Sequence, residues 1–232
     1  QAALHDAAAR PVDGCFPHRL ESVPALEYAT AHRPADAHAP YLLGTFWYAH
    51  RRYAEAMACW ERAAALDPAF PTVQRNLGLA SFNKLGDAER AAAAYERAFA
   101  LEPNDARVLF ELDQLAKKRN RPPSERLALL EQHPALRERR DDLTIEYVTL
   151  LNLLGRHADA ESALLARQFH PWEGGEGKVI AQYVASRIER AKRHLKAQHY
   201  QAAVQELEAA KEYDYRVVND ILERAAGEVS VL

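Results

Sequence analysis

Cysteine is almost missing from this chain. Cys15 and Cys59 are the two among 232 residues, too few for a disulfide framework. Glycine is scarce, with nine in all. Runs of β-branched residues with a period of two are missing apart from short pieces such as Val217-Val218, so strands are not expected. No apolar run approaches the roughly 20 residues that cross a bilayer, which argues against a membrane protein. No basic-then-apolar leader follows Gln1, which favours the cytoplasm. A chain that opens on Gln reads as a piece of a longer protein, so its compartment stays open. Neither sign of charge prevails: 30 Lys and Arg face 33 Asp and Glu, for a net charge of -3. A dedicated nucleic-acid binder carries a basic excess, so no nucleic-acid partner is expected.

Dedicated chemistry is also absent from the text. Ten histidines include no His-Glu-x-x-His pattern, and His194 and His199, five apart, fall on different faces of a helix. Cys59 precedes Trp60 in a packed helix and has no basic neighbour that marks a nucleophile. A phosphate-binding loop needs Gly where Trp172 stands and Ser or Thr where Val179 follows Lys178. No cofactor, no metal and no catalytic residue is therefore expected in this chain.

What is present favours helix. Ala, Leu, Glu, Arg and Gln dominate, and 48% of residues are apolar against 27% charged. The length allows one or two domains. A repeat organises them. From Gly44, Ala56 follows after 12 residues, Trp60 after 4 more, Ala63 after 3 and Pro68 after 5. From Gly78, the steps are 13 to Ala91, 4 to Tyr95, 3 to Ala98 and 5 to Pro103. The glycines let the first helix of each unit approach its partner. The alanines give the second helix a small face, Trp60 or Tyr95 fills the gap, and the prolines stop the second helix. A helix pair of this kind cannot bury its apolar face alone, so the units stack.

Leu43-Gly44, Ala56, Trp60, Ala63 and Pro68, with Leu77-Gly78, Ala91, Tyr95, Ala98 and Pro103, resemble the tetratricopeptide repeat. The resemblance implies an all-α, right-handed helical-repeat solenoid of antiparallel helix pairs. Weaker echoes of the second helix occur at Ser22, Leu26, Ala29 and Pro34, at Ala160, Leu164, Arg167 and Trp172, and at Ala203, Leu207, Ala210 and Tyr215. The expected layout is an irregular lead-in over 1–19 and repeats over 20–226. These comprise a half unit at 20–34, units near 37–68, 71–103, 105–134, 140–172 and 178–213, and a capping helix at 215–226. The stretch 104–139 departs from the pattern, with Asp113 where the glycine should be, and a helical pair with altered packing is expected there.

In such arrays the first helices line the hollow side, which holds a protein or peptide partner. Helical phase from Gly44 and Gly78 points Tyr41, Thr45 and Tyr48 inward, then Arg75, Leu79 and Phe82, then Arg107, Phe110 and Gln114. Tyr, Phe and Arg suit recognition, although some of these rings could equally fill the array itself. Related co-chaperones grip a terminal carboxylate through Lys, Asn and Arg from three first helices. The corresponding places here read Tyr41, Thr45, Asn76, Arg107 and Glu111, of which Asn76 and Arg107 alone fit, so recognition of chaperone tails is disfavoured.

The repeat does not explain His170-Pro171-Trp172-Glu173-Gly174-Gly175-Glu176-Gly177-Lys178. One reading is a connector whose glycines supply unusual backbone angles. The other is a docking loop that presents Trp172, Glu173, Glu176 and Lys178. This segment, with Cys15–Leu20, Asn104–Val108 and Glu111–Leu115, also resembles large bacterial proteins in which such repeats follow a β-rich region similar to the galactose-mutarotase fold. That resemblance implies two things: the missing N-terminal domain is a possible partner, and carbohydrate is a possible ligand of the parent enzyme.

Overall fold

The structure is a computed structural model that describes residues 10, 12, 14–170, 175 and 177–211. Every regular element among the described residues is helical, and none is long and apolar enough to cross a membrane. The chain divides into two compact units, 1–119 and 120–232. The boundary falls inside the pair expected at 105–134, so that pair's two helices belong to different units.

The first unit holds α1 (Ser22–His32), α2 (His38–Ala49), α3 (Tyr53–Leu66), α4 (Pro71–Ala80), α5 (Ala88–Leu101) and α6 (Ala106–Lys118). α2 packs on α3 and α4 on α5, while α1, α3 and α5 join α2, α4 and α6 respectively. The two pairs share one packing device. A methyl group at Gly44 would come within 2.6 Å of Trp60 Cδ1, and one at Gly78 within 2.8 Å of Tyr95 Cδ1. Trp60 and Tyr95 thus occupy equivalent places against a bare backbone. Ala56, Ala63, Ala91 and Ala98 beside them are fully buried. Trp60 Nε1 donates to the Tyr41 carbonyl at 3.2 Å, so the indole's polar atom is satisfied within the core. α3 and α5 end at Leu66 and Leu101, two residues before Pro68 and Pro103.

The extra residue between Gly78 and Ala91 has a definite location. α4 runs on into one π-helical turn, Ser81–Leu85, which absorbs it. Gly86 then turns the chain in the left-handed region, and Asp87 caps α5 by accepting from the Arg90 amide at 2.9 Å.

The second unit holds α7 (Pro123–Gln132), a short α8 (Pro134–Arg137), α9 (Asp141–Leu153), α10 (His157–Leu165), α11 (Lys178–Lys196) and a further helix, α12, over 200–211. α9 packs on α7, α10 and α11, and α10 packs on α11. Ala160 and Leu164 are buried, as the echo of the repeat requires. On α12 the echo shifts by one residue: Ala203 and Ala210 are buried, but Glu206 turns inward and Leu207 is 47% exposed. Two arginines cause the shift. Arg187 and Arg190 on α11 both pair with Glu206, at 2.7 and 2.6 Å, and both pair with Glu161 on α10. Asn152 adds a second polar cluster. Its amide donates to the Gln182 carbonyl at 3.0 Å and its oxygen accepts from Ser186 at 2.8 Å, with His157 Nδ1 at 3.0 Å. The capping helix expected at 215–226 lies outside the described residues.

Candidate ligand face of the first helices

The residues that helical phase points inward on α2, α4 and α6 separate into three environments. Tyr41 is 5% exposed and belongs to the core with Ala56, Met57, Trp60 and Val73, its ring 4.9 Å from that of Phe70. Thr45 is half-buried and its hydroxyl donates to the Tyr41 carbonyl at 3.0 Å. Leu79 and Phe82 are half-buried and pack against Ala91, Ala92, Tyr95 and Leu115. Phe110 is half-buried. Gln114 is half-buried too, and its amide donates to Asp113 Oδ2 at 3.2 Å. Arg107 is exposed.

The third environment is polar and centres on Arg75. Its guanidinium forms an ion pair with Glu111, and the two side chains are only 19% and 15% exposed. Burial pushes the Glu111 carboxyl up, against the pull of Arg75 and then Arg107. Tyr48 lies close by, its ring 5.3 Å from Trp60 and 5.2 Å from Tyr53. Burial raises the Tyr48 phenol, opposed by the charges of Lys84 and Arg75. The Lys84 ammonium sits over the Tyr53 ring at 4.4 Å. Burial also raises the Tyr95 phenol, and the Glu111 charge adds to the rise. Tyr48, Arg75, Lys84, Tyr95 and Glu111 thus share one electrostatic neighbourhood.

Sequence reasoning placed Tyr48 and Arg75 here but missed two members. Glu111 stood out only as a mismatch to the carboxylate grip, and no local signal pairs it with Arg75, 36 residues away. Lys84 sits on the π-helical turn, and the one-residue surplus in the repeat was its only trace.

The chain that leaves α10 is anchored to α9 over 167–170. The His170 amide donates to Asp141 Oδ2 at 2.8 Å, and the same carboxylate pairs with Arg167. Arg167 also donates to Thr144 Oγ1 at 2.7 Å and to the Glu138 carbonyl at 3.0 Å. Just before α11, Gly175 is buried and its carbonyl accepts from the amide of the exposed Lys178 at 3.0 Å. Gly177, at φ +72°, caps α11 in a conformation that suits glycine. Trp172, Glu173, Gly174 and Glu176 lie outside the described residues. Among the described residues no group of His, Cys, Asp and Glu is arranged to hold a metal ion.

No protein-family model matches the chain. Its paired helices are similar to those of several solved structures. YrrB, described as a TPR protein with an unusual peptide-binding site, is 16% identical over 81% of this chain and 91% of its own, with a TM-score of 0.58. PilF of Pseudomonas aeruginosa is 16% identical over 84% of each chain, with a TM-score of 0.56. MamA is 14% identical over 76% of this chain and 97% of its own, with a TM-score of 0.51. Together with the equivalent Gly–Trp and Gly–Tyr contacts, these likenesses define the class. The fold is an all-α helical repeat of the tetratricopeptide type.

Proposed function

We propose that this chain is a non-catalytic scaffold whose first helices hold a protein or peptide segment. One observation carries the reading: α2, α4 with its π-helical turn, and α6 bring the partly exposed Tyr48, Arg75, Phe82 and Phe110 and the exposed Arg107 into one unit. Aromatic and Arg side chains combine contact area with directed polar groups, the mixture that dominates binding energy at interfaces. The likeness to a protein described as having a peptide-binding site supports the reading at the level of fold. The segment belongs either to a separate protein or to a domain of the same protein that precedes Gln1. The resemblance carried by Cys15–Leu20 and His170–Lys178 favours the second.

The test pans the full chain against a random decapeptide library. Peptides that it selects should lose most of their affinity for Phe82→Ala and Phe110→Ala. They should keep it for Glu96→Ala, on the exposed side of α5. Equal losses in all three, or no selection, would remove the reading.

A second reading rests on the resemblance carried by His170–Lys178: that segment contributes Trp172 and Glu173 to carbohydrate processing by the parent enzyme. Replacing both by Ala should then lower turnover in the intact protein. Unchanged kinetics with unchanged stability would end that idea.

A further inference from the structure

The Arg75–Glu111 pair is under-bonded. Glu111 Oε1 meets Arg75 Nη2, while Arg75 Nε and Glu111 Oε2 are both buried without a hydrogen-bond partner. Arg75 Nη1 has only a long contact, 3.5 Å, with Asn76 Oδ1. Buried polar groups are normally paired, because an unmet one forfeits its hydration with no return. A guanidinium edge is satisfied when one carboxylate takes Nε and Nη2 side by side. Glu111, reaching across from α6, takes Nη2 alone. Its buried carboxyl is also pushed toward the neutral form, so the ionised group is poorly served where it sits.

The surroundings favour a second anion. Lys84 and Arg75 both act on Tyr48, and Arg107 acts on Glu111 from an exposed position. Asp105 is the other acid that acts on Glu111, and it is committed to capping α6: its Oδ1 accepts from the Arg107 and Val108 amides at 2.7 and 3.3 Å. Arg75 and Arg107 thus act on the single Glu111 carboxylate, and Lys84 adds a third positive charge beside the neighbouring Tyr48. Glu111 also has somewhere to go, since Arg107 lies four residues earlier on the same helix, a spacing at which side chains meet.

We propose that Arg75 receives the carboxylate of an aspartate or glutamate side chain from a bound peptide, and that Glu111 occupies this seat in the free protein. The inference rests on the reading of the first helices as a peptide face and adds the chemistry of the ligand: an acidic segment that displaces an internal carboxylate. Ligand-free protein is then held in a self-occupied state, and Glu111 sets the threshold for binding.

The random decapeptide selection on the full chain decides it, with the peptides displayed both with blocked and with free C-termini. Selected peptides with blocked C-termini should be enriched in Asp and Glu. Glu111→Gln should bind those peptides about tenfold more tightly than the natural chain. The double variant Arg75→Gln/Glu111→Gln leaves neither charge buried alone. It should lose the preference for acid while still binding through Phe82 and Phe110. Circular dichroism confirms that each variant is folded, and if Glu111→Gln is not, the double variant decides. A pool rich in Lys and Arg, a pool without charge preference, or an acid preference that survives in the double variant would overturn the inference and leave the peptide face standing. Enrichment confined to free C-termini, without Asp or Glu, would also overturn it. No selected peptide sensitive to Phe82→Ala would remove the underlying reading instead.

Discussion

Two glycines and two rings decide the packing of the first unit. A methyl group at Gly44 would overlap Trp60 and meet the Ala56 carbonyl at 3.0 Å. Alanine at a helical position gains about 1 kcal/mol in propensity over glycine. Here the overlap falls on the body of a buried ring and on backbone, where overpacking costs roughly 1–3 kcal/mol. Gly44→Ala and Gly78→Ala are therefore expected to be destabilising on balance in urea unfolding, and Trp60→Ala to cost about 3–5 kcal/mol. Gly44→Ala combined with Trp60→Leu should cost less than the sum of the two single changes, a partial recovery, because the shorter side chain leaves room for the methyl. Absence of recovery would argue against a direct Gly44–Trp60 contact. In the second unit, Glu206→Ala leaves two arginines facing inward with one carboxylate fewer. Both arginines keep Glu161, so the unfolding curves should show a loss smaller than the about 3–5 kcal/mol that stranding a buried charge costs.

At the scale of elements, the turn after each first helix uses a left-handed residue. Arg51, Gly86, Asn120, Gly155 and Gln198 have φ of 61°, 67°, 54°, 76° and 60°. Three of the five are not glycine, and a side chain in that region costs about 1–2 kcal/mol. Gln198→Gly and Arg51→Gly are accordingly expected to raise stability by roughly 0.5–1 kcal/mol, while Gly155→Ala should lower it by a similar amount. The π-helical turn invites a deletion. Removing the exposed Asn83 restores the spacing of 12 seen between Gly44 and Ala56, so the shortened chain should unfold cooperatively with a regular α4. Loss of the fold would mean that the surplus residue is not housed at Ser81–Leu85. The helix pairs themselves were legible in the sequence because small–aromatic–small spacing depends on neighbours within one pair. Glu206 and Leu207 were not, since their order along α12 is set by Arg187 and Arg190 from another helix. Helical phase points Tyr41 inward, but its ring finds Phe70 just before α4, a contact that helical phase alone does not reveal.

The whole molecule holds its two units by different means, and pH separates them. The first relies on rings against bare backbone, with Glu111 as an acid that burial holds above its usual range; the second relies on one charge quartet and a histidine. Burial lowers the proton affinity of His157, as do the charges of Arg193 and Arg190, and Glu189 opposes them. A depressed histidine contributes stability above its unfolded value near 6.5, and that contribution is lost as the pH falls toward the folded value. Glu111 has the opposite sign: its folded value is raised, so its ionisation costs stability at neutral pH and the cost is relieved on acidification toward the unfolded value of 4.5. Hydrogen exchange at successive pH values should show α9 to α11 opening more readily on mild acidification. His157→Leu should blunt that response. In α4 and α6, the stability difference between the natural chain and Glu111→Gln should shift in favour of the natural chain as acid is added.

The peptide face is the central claim, and hydrogen exchange on the full chain, with and without a selected acidic decapeptide, tests it most directly. Protection is expected in the first helices, at 38–49, 71–85 and 106–118. Protection confined to 53–66 and 88–101, or none in this unit, would contradict the account.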